Sequence, residues 1–101
     1  MTKSLSKAEI FDQAKALTTG DRMKAYGSVD ENFKRTADLW NAYLQGRDIS
    51  KQPIELFEVG IFNQLQKISR IAHDPTNPDS HVDNVGFGGI TGELALKVDK
   101  K

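Results

Sequence analysis

The sequence predicts an all-α protein, a single domain of four helices. Three observations carry this. Serine and glutamate stand three apart at Ser6/Glu9 and at Ser28/Glu31, each just ahead of an apolar run. Such a pair reads as a capping box, in which the hydroxyl accepts from a free backbone N–H and the carboxylate reaches back to the cap. Apolar residues then recur at spacings of three and four, the period of a helix face. Glycine and proline mark the ends, at Gly20, Gly46, Pro75 and Pro78.

The first helix is expected over about 6–18, with Ile10, Ala14 and Leu17 on one face and Gly20 beyond its end. The second covers 29–45 through Phe33, Ala37, Trp40 and Leu44, and Gly46 closes it. The third covers 53–72. Pro53 suits a first turn because its missing N–H has no partner there. Ile54, Phe57, Ile61, Leu65, Ile68 and Ala72 form its buried face. A proline-bearing loop follows, and the fourth helix covers 80–97 through Val82, Val85, Ile90 and Leu94.

That last helix carries Gly86, Gly88, Gly89 and Gly92. Each is worse than alanine by about 1 kcal/mol inside a helix. Close approach of another helix backbone at Gly86 and Gly89 is the physical way to hold it together. A broken helix is the alternative. Residues 1–5 and 98–101 are expected to fray.

Composition narrows the function. A chain of 101 residues with 38% hydrophobic residues buries a modest share of its surface, so packing into a homodimer is a natural remedy. Fourteen Lys+Arg balance fourteen Asp+Glu, and without a basic stripe no DNA or RNA partner is expected. The chain has no cysteine, which removes disulfide frameworks and thiolate chemistry. The N-terminus lacks an apolar segment of the secretory kind, and no stretch is long and apolar enough for a membrane span. A cytoplasmic protein is expected.

Several polar groups are candidates for chemistry. Glu55/Glu58 and Asp79/Asp83 are pairs that share a helix face. Both pairs also lie in N-terminal turns, where acidic residues complement the helix dipole. If the last two helices run antiparallel, the two pairs sit far apart in one chain and meet only across a dimer. Lys67 and Arg70 are either a cationic clamp or dipole partners at a helix end. The loop from Gly20 to Gly27 places Arg22 and Tyr26 ahead of a helix N-terminus, a place that favours anions, and Asn32 follows one turn later. His73 and His81 lack a third ligand and give a weak metal signal.

The stretch Gly20-Asp21-Arg22, Tyr26-Gly27, Glu31-Asn32-Phe33 and Leu39-Trp40 resembles the opening of a phage-borne family of small proteins. That family's later signature is a Lys-Ile-Ala-Arg-like helix end followed by Asp-Ser-x-x-Asp-x-x-Gly-Tyr. Here it reads Lys67-Ile68-Ser69-Arg70, then Asp79-Ser80-His81-Val82-Asp83 and Gly86-Phe87. The likeness runs from about residue 8 to 93. The helix pattern is similar in turn to the MazG-like all-α nucleotide pyrophosphohydrolases, with Glu55-x-x-Glu58 in place of their first acidic pair and Asp79-x-x-x-Asp83 approximating the second.

This resemblance implies a nucleotide-binding protein and, more specifically, a Mg²⁺-dependent NTP pyrophosphohydrolase. Asp79 and Asp83 would be catalytic and would hold Mg²⁺ with Glu58. Arg22, Lys67 and Arg70 would meet phosphate, and Tyr26 and Asn32 the base or sugar. The alternative is a non-catalytic phage protein that binds and inhibits a host or defence protein.

Overall fold

The computed structural model describes residues 4–19 and 29–98, and within them the chain is four helices with no strand. Helix α1 is Lys7–Thr19, α2 Val29–Tyr43, α3 Leu56–His73 and α4 Pro78–Val98. The all-α expectation holds.

The first capping box is present as predicted. Ser6 N–H donates to Glu9 Oε1 and Glu9 N–H to Ser6 Oγ, both at 3.2 Å. Ser28 of the second box lies outside the described residues. So do residues 1–3 and 99–101, most of the ends expected to fray. Helix α2 ends two residues earlier than expected, and Gly46 then turns the chain at φ +80, a conformation that favours glycine.

The start of α3 differs from the expectation. Pro53 stays in the loop and Glu55 is the N-cap. The reason is Glu58: its Oε1 accepts the Glu55 N–H at 3.0 Å, which fixes the cap one turn before it. Helix α4 begins slightly earlier than predicted, with Pro78 in the first turn and Asn77 Oδ1 accepting the Asp79 N–H at 3.0 Å. It runs unbroken through all four glycines.

Both α2 and α4 pack antiparallel on α3. Asn32, Trp40 and Tyr43 of α2 meet Ser69, Phe62 and Glu58 in that order. On the other side, Thr91, Gly88 and Asp83 of α4 meet Gly60, Gln64 and Lys67. At 3.6 residues per turn these two sets of α3 residues point in opposite directions. The three helices therefore stand in a row with α3 in the middle.

A row encloses no core. Among the described residues no hydrophobic side chain is buried, and the buried ones are Thr36, Glu58, Ser69 and Ser80. The contacts that hold the row are close and polar. Gly60 lies so near Thr91 that a Cβ there would overlap its hydroxyl. Trp40 and Tyr43 pack on the Phe62 ring at 5.3 and 5.7 Å between centroids. Helix α1 buries no residue, and its Ile10, Phe11 and Leu17 are exposed.

Candidate functional site

The row leaves a lateral groove floored by α3, with α2 on one side and α4 on the other. On the α2 side is a pocket of about 360 Å³ lined by Asn32, Phe33, Thr36, Trp40, Gln66 and Arg70. On the α4 side is a concavity of about 440 Å³ that includes Asn63, Gln66, Lys67, Asp83 and Phe87. Gln66 belongs to both and joins them.

Local hydrogen bonds set the α2 wall. Ser69 is fully buried in α3. Its Oγ lies 3.3 Å from Asn32 Oδ1 and 3.4 Å from Asn32 O, and Thr36 Oγ1 donates to Asn32 O at 2.9 Å. Arg35 reaches across to donate to Ser69 O at 2.9 Å. The Asn32 side chain is thus held through its amide oxygen, and the residue lines the pocket. Trp40 donates its indole N–H to Phe62 O at 3.2 Å, which orients the ring. Phe33 is 68% exposed and presents an uncovered ring.

The α4 wall centres on an ion pair. Lys67 Nζ lies 2.9 Å from Asp83 Oδ2; the lysine is mostly buried and the aspartate half exposed. Four of the residues picked out in the sequence, Asn32, Lys67, Arg70 and Asp83, therefore open onto one groove. Asp79 lines neither concavity and stands exposed in the first turn of α4. His81 Nε2 is 2.8 Å from Pro75 O in the α3–α4 loop. Arg22 and Tyr26 lie outside the described residues.

Glu58 is in a different place. It is 2% exposed at the start of α3, nine residues before Lys67, about 13 Å along the helix. Both of its oxygens are engaged. Oε1 caps Glu55, and Oε2 accepts from the Tyr43 hydroxyl at 2.8 Å and from the Arg47 guanidinium. The Arg47 hydrogen bond, with help from the Glu55 N–H, pulls the Glu58 carboxyl down to about 2. Burial and the bond to Glu58 push the Tyr43 phenol up. Arg47 also donates to Gln52 O at 2.9 Å, pinning the loop before α3. This triad ties α2, the loop and α3 together.

Tyr43 and Arg47 were not picked out from the sequence. Tyr43 sits among the last residues of α2 and Arg47 follows Gly46, positions that read as an ordinary helix end. Phe33 and Trp40 have the apolar spacing of a helix face that packs in a core, and they become pocket walls because the row leaves that side open.

The family described as "Domain of unknown function (DUF6378)" matches residues 9–95. The Gene 55 protein of Mycobacterium phage L5 is 29% identical over 92 residues, 91% of this chain and 56% of its own length. The Gene 55 protein of Mycobacterium phage D29 is 35% identical over 80 residues, 79% of this chain and 49% of its own length. The chain thus spans about half the length of the curated relatives it matches. No solved structure matches it. No helix among the described residues is long and apolar enough to cross a membrane.

Proposed function

We propose, for a chain that belongs to the DUF6378 family, that the groove on α3 binds a nucleotide. One observation carries this reading. The rings of Phe33 and Trp40, the amides of Asn32 and Gln66 and the guanidinium of Arg70 surround a single pocket. A nucleobase offers a flat face and a hydrogen-bonding edge, and stacking on an aromatic side chain contributes about 1–3 kcal/mol per base. The amides suit the edge. Arg70, and Lys67 on the far side of Gln66, suit phosphate oxygens through charge-assisted hydrogen bonds. Arg22 and Tyr26 are further phosphate and base contacts on this reading, and Asp79 takes no part in the groove.

Hydrolysis with Mg²⁺ asks more. It needs Asp79, Asp83 and Glu58 to share a cation. Within one chain these donors do not fit it. Glu58 has both oxygens occupied, Asp83 faces Lys67, and the two are separated along α3. The proposal is therefore binding, with no step routed through a metal.

A melting-temperature series tests it. Nucleoside mono-, di- and triphosphates are added at millimolar concentration, with and without Mg²⁺. A ligand at a hundred times its Kd stabilises by about 2.7 kcal/mol, about 10–20 °C for a domain of this size. At least one nucleotide should raise the melting temperature, and Asn32→Ala should remove the shift. No shift with any of them refutes the proposal.

The second reading is a phage protein that docks on a host protein in the bacterial cytoplasm. It draws on apolar side chains left uncovered, such as Phe33 and Leu56, which are 68% and 74% exposed. Capture of one host protein, lost in Leu56→Glu, supports it. Capture that is unchanged by that substitution counts against it.

A further inference from the structure

The two halves of the groove differ in chemistry. The α2 half holds the rings of Phe33 and Trp40 with Arg70, which is what a base and a phosphate ask for. The α4 half has Phe87 on an apolar wall, and its polar groups are Asn63, Gln66 and the Lys67–Asp83 pair. Stacking of a base does not account for this second set.

Asp83 is a carboxylate held in place. Lys67 rises from α3, mostly buried, and its Nζ fixes Asp83 Oδ2 at 2.9 Å. No described residue donates to Asp83 Oδ1. The lysine offsets the charge of the carboxylate, which weakens its pull on a cation and leaves the second oxygen to accept from a neutral donor. Hydroxyl groups make short, strong hydrogen bonds to a carboxylate oxygen. Asn63 supplies another acceptor. Its Nδ2 donates to Val59 O at 3.0 Å, so the capacity left to it is mainly that of its oxygen. Two acceptors beside a half-buried aromatic ring suit a sugar, which has hydroxyls at its rim and C–H groups on its face.

The layout of the groove matches the connectivity of a nucleotide. Gln66 lines both halves, so they adjoin. Base and sugar share one bond, and a base stacked in the α2 half places its sugar just past Gln66. The halves measure about 360 and 440 Å³, each the size of a small-ligand pocket. The 2′-hydroxyl is on the carbon next to the one that bears the base, so it is the first hydroxyl to enter the α4 half.

Resting on the nucleotide reading of the groove, we propose that the α4 half takes the sugar and that Asp83, positioned by Lys67, accepts from the ribose 2′-hydroxyl. The site then selects ribonucleotides. A 2′-deoxy ligand leaves the carboxylate oxygen against a C–H group, unpaired, and that penalty is the source of the selection. Where such an acceptor is fully enclosed the ratio reaches about 10⁴. Asp83 is half exposed, water replaces the hydroxyl in part, and the preference is about tenfold.

The test is isothermal titration calorimetry with the ribo- and 2′-deoxyribonucleotides of adenine, guanine, cytosine and uracil, each as mono- and triphosphate. Wild type should bind the ribo form about tenfold more tightly than its 2′-deoxy counterpart. Asp83→Ala should bring the two within about twofold, and so should Lys67→Met combined with Asp83→Ala, which leaves no unpaired ammonium. The ratio within each variant is the readout, because a general loss of affinity cancels in it. A wild type that binds the 2′-deoxy form equally or better overturns the inference and leaves nucleotide binding standing. So does a preference that persists in Asp83→Ala. A wild type that binds none of these nucleotides overturns both.

Discussion

Replacing Glu58 with glutamine should destabilise this protein more than any other single change of charge. The carboxylate is 2% exposed and accepts from Arg47, Tyr43 and the Glu55 N–H. Glutamine keeps the shape but has one acceptor oxygen, so it can serve either the cap N–H or the phenol, and its NH2 group faces a donor at the other position. It removes the negative charge and leaves the Arg47 guanidinium without its counterion. Glu58 falls from 4.5 to about 2, and a drop of that size corresponds to about 3 kcal/mol of preference for the ionised form in the folded state. Removing one partner of a buried pair costs a similar amount, about 3–5 kcal/mol.

The pH dependence follows from the direction of that shift. The folded state holds the Glu58 proton less tightly than the unfolded state. Between the two values the unfolded chain binds more protons, so stability decreases as pH falls. The contribution is nearly complete above about pH 5 and is lost as pH falls toward 2; somewhat more than half of it is gone at pH 3. Urea unfolding followed by helical circular dichroism at pH 7 and pH 3 measures this. Glu58→Gln should be less stable by about 3 kcal/mol at pH 7 and by about 1 kcal/mol at pH 3. A gap below about 0.5 kcal/mol at pH 7, within ordinary surface substitution, would refute the reasoning. So would a gap of equal size at both pH values.

Two substitutions probe the helix contacts. Gly60→Ala puts a methyl group against Thr91 and should destabilise by about 1–3 kcal/mol, as overpacking does. Combining it with Thr91→Ala should recover most of that loss in the same urea titration. Ser69→Ala removes the hydroxyl that holds Asn32 and should lower stability by about 1 kcal/mol. It should also weaken nucleotide-dependent stabilisation more than it changes the melting temperature of the free protein, because it releases the Asn32 amide without removing it.

The local rules read from the residues were mostly upheld. Ser6 and Glu9 cap α1 because that bond is made within one turn and needs no neighbour. Pro53 misled because two signals competed. Proline permits a helix start, while Glu58 reaching back to Glu55 N–H requires one. Residues Lys67, Arg70, Asn32 and Asp83 were singled out separately, and their meeting around Gln66 depends on which sides of α3 the neighbouring helices take. Gly86 and Gly89 were expected to admit another helix backbone. Within the chain that role falls to Gly60 and Gly88, and the original pair points outward.

What the sequence determined alone was the all-α class, the four helices and the cap of α1, since that cap and the apolar period depend on residues a few positions apart. What only the tertiary structure decided was the partner of each side chain. Glu58 became a buried anchor for Arg47 and Tyr43, and Phe33 and Trp40 became walls of an open groove. The physical reason is the row: among the described residues α2 and α4 pack on opposite sides of α3 and bury no hydrophobic side chain between them. An apolar stripe that would be core in a closed bundle is therefore left as surface.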